Sequence, residues 1–450
     1  MADSKLRSRR RFLKGTGAAL ASFTIAPSYI VGGQQPAPSD RVDIAYIGTG
    51  GRGGANLRAL KGHSNTVAFC DVDFARCTGA FKQFPDAQRF TDFRRMLDKM
   101  EGSVDAVAVS TPDHTHAVAS MDVLRRGKHL YCEKPLAHSV HEVRALINAA
   151  READVVTQLG NQGHSYGSIR QLVEWVHDGA IGNVHTIHAA CSANHSKIDE
   201  LRQRSHKAEP PKSLNWDLWL GPSAYRAYHP MYCPGRWRGW KPFGNGTIGD
   251  WVCHVLDGSF WALDLGAPEA VTVLEVRDYD PVAHADTYPR GSLIQFDFPA
   301  KNQRGPVTVY WRSGDERMPR PRELEDGRDV PLTGAFLIGD NGVIMHGSHG
   351  SRDVTLIPKE RMDAYQQPTP SIPRVPGGHR VDFIEAIRNG RKSGSDFSYG
   401  GPLTEIALLG VIALNFPGRR LSWDCEAMRF TDCDEANAYV APAYREGWTL

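Results

Sequence analysis

Six residues near the start of the globular sequence have the types and spacing to do chemistry. Gly48-Thr49-Gly50-Gly51-Arg52-Gly53 satisfies G-x-G-x-x-G. In that pattern Gly48 permits a tight turn, Gly50 lets the backbone approach a pyrophosphate, and Gly53 lets a helix pack on a strand. The unpaired N–H groups and positive end of the following helix then suit phosphate. Asp71 lies 23 residues after Gly48, near the spacing of about 20 at which a carboxylate accepts the ribose hydroxyls. It would repel a 2′-phosphate, which favours NAD over NADP, whereas Arg52 and Arg76 would favour the reverse. Read without the glycines, Asp71 is a helix cap.

A second pair is Asp250 and His254, four residues apart at the start of an apolar run through Leu256, Phe260, Trp261 and Leu263. On a helix they project from one face. Alternatively Asp250 caps the helix and His254 packs in the core. His114 and His116, in Thr111-Pro112-Asp113-His114-Thr115-His116, could be read as a metal pair. No further ligand stands at suitable spacing and Pro112-Asp113 reads as a helix-opening turn, so no metal is expected.

The elements that must position these residues alternate. Residues 41–47, 66–70, 105–110, 128–132 and 154–158 read as strands, with helices after Gly53, after Asp113 and from about Ser139 to Glu152. Such alternation builds a parallel sheet with both faces covered and ligands at the carboxyl ends of the strands. Thr111, His114, Lys134 and Asn161 all fall at such ends. Beyond Gly163 the pattern changes. After a helix at 169–178, strands at 183–190, 270–277, 292–298, 306–311 and 334–339 come in runs, which indicates a mainly antiparallel sheet. Residues 400–414 read as a buried helix.

The glycine motif, the Thr-Pro-x-His-x-His turn and Glu133-Lys134-Pro135 after the fourth long strand together resemble the Gfo/Idh/MocA family of glucose–fructose oxidoreductase and inositol dehydrogenase relatives. The resemblance covers residues 41–450. It implies an α/β chain with an N-terminal Rossmann dinucleotide-binding domain (41–163) and a C-terminal α+β substrate and oligomerisation domain (164–450) with a large, mainly antiparallel open sheet. The cofactor site it implies comprises Gly48, Gly50, Gly51, Arg52, Gly53, Asp71, Thr111, Pro112, His114, His116, Glu133, Lys134 and Asn161. The Asp-x-x-x-His pair is similar to that of the family's dehydrogenases. Carried over, His254 is the acid/base, Asp250 orients it and Lys134 polarises the reacting oxygen. An imidazole suits this work because its unperturbed pKa of about 6.5 lies near neutrality, and an amine stabilises developing alkoxide charge.

The function implied is hydride transfer between NAD and a secondary hydroxyl of a sugar, polyol or glycoside, in a dimer or tetramer. The alternative is a glycoside hydrolase or lyase that oxidises, eliminates and reduces in turn. Relatives of the α-N-acetylgalactosaminidase kind carry Tyr three residues before the histidine, where this chain has Trp251. Between about 195 and 245 the chain is rich in Trp, Tyr and Arg, including Trp216, Trp219, Tyr225, Tyr228, Tyr232, Trp237, Arg238 and Trp240. That insertion suits either a carbohydrate lid or a subunit contact.

Composition bounds the partners. The 450 residues are 41% hydrophobic and 23% charged, with a net charge of +2. Those values suit a soluble protein of roughly two to three domains. Residues 1–39 carry six basic residues and one acid, so the remainder is slightly acidic and ill suited to nucleic acid. Arg9-Arg10-Arg11-Phe12-Leu13-Lys14, a weakly apolar stretch to Val31 and a polar linker to Asp40 read as a twin-arginine export signal. The expected partner is the twin-arginine machinery, the location periplasmic or otherwise exported, with no stable membrane span. That route carries folded proteins, so a dinucleotide would travel inside, tightly held. The eight cysteines form no disulfide framework, although Cys425 and Cys433 could pair in an oxidising compartment.

Overall fold

A computed structural model describes residues 41–203 and 208–450; the expected export signal lies outside them. The first sheet has six parallel strands: β1 (Val42–Ile47), β2 (Ser64–Cys70), β3 (Gln88–Phe90), β4 (Ala106–Val109), β5 (His129–Cys132) and β6 (Thr157–Leu159). Their order is β3-β2-β1-β4-β5-β6. The direction of winding reverses between β1 and β4, where a doubly wound sheet opens a crevice for ligand. Strands β1 and β4 are apolar and buried because helices cover both faces. Strand β3 was not anticipated, being three residues long and exposed at Gln88 and Arg89. Strand β6 starts later than expected because Asp154 takes a left-handed conformation (φ 50°) as the C-cap of the preceding helix.

That helix, Val140–Ala153, begins where the sequence indicated. The Ser139 hydroxyl accepts from the Glu142 amide, and Glu142 Oε2 accepts from the Ser139 amide at 2.8 Å, which satisfies two otherwise orphaned donors. The same Glu142 oxygen accepts from the His138 amide at 2.8 Å, which holds the chain that leads from Lys134 into the helix.

The second sheet contains β7 (Val184–Cys191), β8 (Ala270–Arg277), β9 (Gly291–Phe298), β10 (Val307–Ser313), β11 (Gly334–Gly339), β12 (Gly342–Gly347), β13 (Thr355–Ile357), β14 (Arg420–Asp424) and β15 (Arg429–Phe430). Their order is β13-β12-β11-β7-β10-β9-β8-β14-β15. Only β7 and β10 pair in parallel. Along β10, Val307, Val309 and Trp311 are buried while Thr308, Tyr310 and Arg312 are partly open, so one face packs and the other does not.

The expected division at 163/164 separates the two sheets but not the packing of the chain, because Val42–Leu450 form one unit. Helix His379–Asn389 returns to the first sheet, where Arg388 donates to the His63 carbonyl at 2.9 Å. The apolar helix Phe397–Ala413 packs against Val140–Ala153 and against the helix Gly246–Val255. Burial of Leu403, Ile406 and Leu409 there contributes about 1.5–3 kcal/mol each. Cys425 and Cys433 are separate thiols. Among the described residues no helix is long and apolar enough to cross a membrane.

Candidate active site

The glycine turn is built as its spacing requires. Gly48 has φ 82°, and its N–H donates to the Cys70 carbonyl at 2.8 Å. A Cβ on Gly53 would stand 1.9 Å from the Gly48 carbonyl oxygen, so only glycine lets the helix Arg52–Leu60 start so close to β1. Asp71 follows β2. Its Oδ2 accepts from the Thr49 amide at 2.8 Å and its Oδ1 from the Asp73 amide at 3.0 Å. The cap of the next short helix is Asp73, not Asp71.

These residues line a cleft of about 410 Å³ at the carboxyl ends of β1, β2, β4 and β5. Gly48, Gly50, Gly51, Arg52, Asp71, Thr111, Pro112, His116, Glu133, Lys134 and Asp250 all reach its wall. Two features fit a dinucleotide: the open glycine cradle, and the buried Thr111 hydroxyl, which has no partner and stands at the wall. Glu133 braces the floor by accepting from Asn56 Nδ2 at 2.9 Å.

Three expected cofactor residues do other work. Gly53 shapes the turn from behind and does not line the cleft. His114 faces the Phe243 and Trp219 carbonyls at 3.1 and 3.0 Å, so it pins the aromatic insertion and lies outside the cleft wall. Asn161 is fully buried; its Nδ2 donates to Asp257 Oδ2 at 3.0 Å and it also lies outside the wall. His116 does border the cleft, but both of its ring nitrogens face carbonyls, Pro135 at 2.8 Å and Thr111 at 2.9 Å. Burial opposes charge on the ring, but Cys132, Asp113 and the Pro135 carbonyl lift its pKa to about 9. Neither histidine is free to hold a metal.

Around Asp250 the arrangement departs from expectation. The helix begins at Gly246, with Asn245 as its N-cap, so Asp250 lies inside the helix and does not cap it. Its carboxylate does not orient His254. Oδ1 pairs with Lys134 Nζ in a short contact and with Arg238 Nε at 3.2 Å, while Oδ2 accepts from His195 Nε2 at 3.0 Å. Residues i and i+4 share a face, yet Lys134, Arg238 and His195 from other elements take up the carboxylate. Burial alone would raise the Asp250 pKa; Lys134, Arg238 and His195 instead hold it well below the usual carboxylate range. Lys134 also donates to the Asp250 carbonyl at 3.0 Å.

His254 is buried, its Nδ1 has no partner, and its ring stacks on His349 with centroids 4.1 Å apart. Burial, then the charges of Lys134 and His349, depress its pKa well below the ordinary value, so the ring is neutral.

Residues missed from the sequence are therefore His195, His349 and the role of Arg238. His195 follows the end of β7, which is the signal that could have found it. His349 sits at φ 53° in the loop after β12, a strand that was not anticipated. The insertion divides in function. Trp216, Trp219, Tyr228, Tyr232 and Trp240 form a small core of their own, and Trp237 and Arg238 face the cleft.

Comparison with known proteins gives the same outline. A sequence model described as an oxidoreductase family with an NAD-binding Rossmann fold matches residues 42–161, and the C-terminal alpha/beta domain of the same family matches 168–288. The chain is 22% identical over 372 residues to a levoglucosan dehydrogenase of Pseudarthrobacter phenanthrenivorans, covering 82% of this chain and 81% of that protein. It is 32% identical over 220 residues to an inositol 2-dehydrogenase of Rubrobacter xylanophilus (40% and 61%). It is 28% identical over 174 residues to a 1,5-anhydro-D-fructose reductase of Ensifer adhaerens (38% and 41%). It thus spans less than two thirds of the last two. Among solved structures, an inositol dehydrogenase homolog of Azotobacter vinelandii, complexed with NADH and myo-inositol, shares the fold at a TM-score of 0.55 and 16% identity, over 85% of this chain and 98% of that one. An aldose–aldose oxidoreductase of Caulobacter crescentus does so at 0.54 and 17%, over 85% and 99%.

Proposed function

The chain belongs to the Gfo/Idh/MocA oxidoreductase family, and from that premise we propose that it is an NAD-dependent dehydrogenase acting on a secondary hydroxyl of a sugar or polyol. The observation that carries the reading is the Lys134–Asp250 ion pair at the wall of the glycine-lined cleft. Gly48, Gly50, Arg52, Asp71 and Thr111 would hold NAD, whose nicotinamide supplies the hydride acceptor.

The chain's own residues then manage the oxygen and its proton. The Lys134 ammonium hydrogen-bonds the reacting oxygen and stabilises alkoxide charge as it develops. Asp250 fixes that ammonium. His254, neutral, does not line the cleft and its Nδ1 is enclosed in protein, and we assign it the hydroxyl proton as the imidazole one helical turn after Asp250. His195 holds the far oxygen of Asp250 and so positions the pair. The glycosidase alternative has less support, because the named relatives above are dehydrogenases and a reductase.

NAD is tightly held in this reading. Leu214, Leu218 and Trp219 from the insertion and Trp448 from the last residues border the cleft. The Asn215 amide donates to the Val72 carbonyl at 2.8 Å, which ties the insertion down beside Asp71. Retention suits export through the twin-arginine route to the periplasm, the location we propose. We also propose a dimer or tetramer formed through the open face of the second sheet.

Two measurements test this. Denatured protein should release about one NAD(H) per chain, and sugars and polyols should change nicotinamide absorbance without release of an aglycone from aryl glycosides. Aglycone release with no net reduction would favour the glycosidase.

A further inference from the structure

A second cavity, of about 680 Å³, opens beside the helix Gly167–His177, bounded by Ile372–Pro376 and by Ser393-Gly394. It shares no lining residue with the glycine-lined cleft. Two buried bases line it, His164 at 2% exposure and Arg170 at 4%.

His164 is oriented as a functional imidazole would be. Its Nδ1 pairs with Asp257 Oδ1 at 3.0 Å, and Asp257 is completed by the Tyr399 hydroxyl at 2.6 Å and Asn161 Nδ2 at 3.0 Å. The ring stacks on Trp261 with centroids 4.7 Å apart and 21° between planes. That leaves Nε2, which has no hydrogen-bond partner among the described residues. A Cβ on Gly394, at the cavity wall, would lie 3.9 Å from it.

Arg170 stands next to it with no carboxylate in ion-pair contact among the described residues. Nε donates to the Pro373 carbonyl at 2.7 Å, and Nη1 donates to those of His164 at 2.7 Å and Tyr166 at 3.2 Å. The other charges at the wall are already matched: Arg374 by Glu174, Arg391 by Asp382, Lys392 by Asp396 and Glu385 by Arg388. Arg170 feels the carboxylates of Asp382, Asp257 and Glu174 only at a distance, and its Nη2 is uncommitted. A buried cation costs several kcal/mol unless an anion meets it.

We propose that this cavity binds a small oxyanion, phosphate or carboxylate, between the Arg170 guanidinium and His164 Nε2. The planar guanidinium matches oxyanion geometry.

The test uses the full chain saturated with NAD, so that the glycine turn cannot take the probe. Inorganic phosphate, and separately acetate, are titrated calorimetrically at constant ionic strength. Saturable binding of one anion per chain is expected, weakened at least tenfold by Arg170→Gln and by Gly394→Asp. Gly394 is exposed with an ordinary φ, and a Cβ there meets nothing closer than 3.4 Å, so the second variant decides the matter if the first does not fold. Binding of only one probe supports the site and identifies its ligand class. No saturable heat with either anion, or unchanged affinity in Gly394→Asp, overturns it.

Discussion

The Asp250 carboxylate reaches His195, 55 residues earlier in the chain, at 3.0 Å, while His254 on the next turn of its own helix has no partner at Nδ1. The two imidazoles near this carboxylate therefore have different tasks. His254→Ala should lower kcat for alcohol oxidation by about 10²–10⁴, the usual share of a general base. His195→Ala should cost less, and it should also alter the pH profile because Asp250 loses one of the three side chains that hold its carboxylate. Steady-state rates across pH check both, and equal losses with identical profiles would argue against separate roles.

The pH dependence has a definite sign. A base works only when unprotonated, and burial with the Lys134 and His349 charges lowers the His254 pKa. Activity that depends on neutral His254 is present above that lowered pKa and lost only as pH falls through it. Oxidation should therefore hold as pH drops through about 6.5, the ordinary imidazole value. An acid limb centred there would assign the proton to another group.

Lys134 and Asp250 should fail in distinguishable ways. Lys134→Ala leaves Asp250 with Arg238 and His195, so turnover should fall by about 10²–10³ while NAD content stays intact. Asp250→Asn leaves cations without their anion, and breaking a buried pair costs about 3–5 kcal/mol. That variant should lose both turnover and Tm.

How far the sequence foretold this site depends on which residues were local. Gly48, Gly53 and Asp71 were legible because a turn and the strand after it are set by neighbours in the chain. Asp250 and His254 were found, but their partners were not, since His195, Arg238 and His349 arrive from β7, the insertion and the β12 loop. Spacing on a helix fixes a shared face; it does not fix which charges from elsewhere compete for it. His114 and Asn161 sit at the expected strand ends, yet each turned to a contact outside the cleft, with backbone carbonyls for the first and Asp257 for the second. Of the strands that went unseen, β3, β13 and β15 are two or three residues long, too short for alternation to register, whereas β12 and β14, six and five residues long, were missed although long enough to show it.

Cofactor preference rests on Asp71. Its carboxylate is fixed toward the cleft by the Thr49 and Asp73 amides. Asp71→Ser keeps a hydrogen-bonding hydroxyl but removes the charge, so the ratio of NADP to NAD affinity should rise by about tenfold or more, equivalent to about 1.4 kcal/mol. Competitive titration of the two dinucleotides measures it.

Stability in acid should depend on Glu174. Its Oε1 accepts from the Ser371 and Ile372 amides at 2.9 Å, and Arg374 clamps both oxygens. The Arg374 hydrogen bonds, outweighing the opposing effect of burial and aided by the two amides, lower its pKa to about 2. A depressed carboxyl stabilises the fold above its unfolded value of about 4.3, and that contribution disappears as pH falls toward 2. Glu174→Gln should lower Tm at pH 7 and flatten its decline between pH 4 and 2.

The last residues of the chain should govern how long NAD stays. Trp448 borders the cleft, with the Arg94 guanidinium 4.6 Å from its ring centroid. Arg445 anchors the segment through Asp217 at 2.6 Å and through the Gly221 carbonyl. None of these residues touches Lys134, Asp250 or His254. Trp448→Ala should therefore speed NAD release severalfold, followed by cofactor fluorescence or by exchange with labelled NAD. Rates at saturating NAD should stay close to wild type if release is not rate-limiting, and should rise if it is. Arg445→Ala should reproduce the faster release without removing any group from the cleft wall, because it frees the same segment. If both variants kept the wild-type release rate, the cover over NAD would lie in the insertion at Leu214–Trp219 and not at the chain's end.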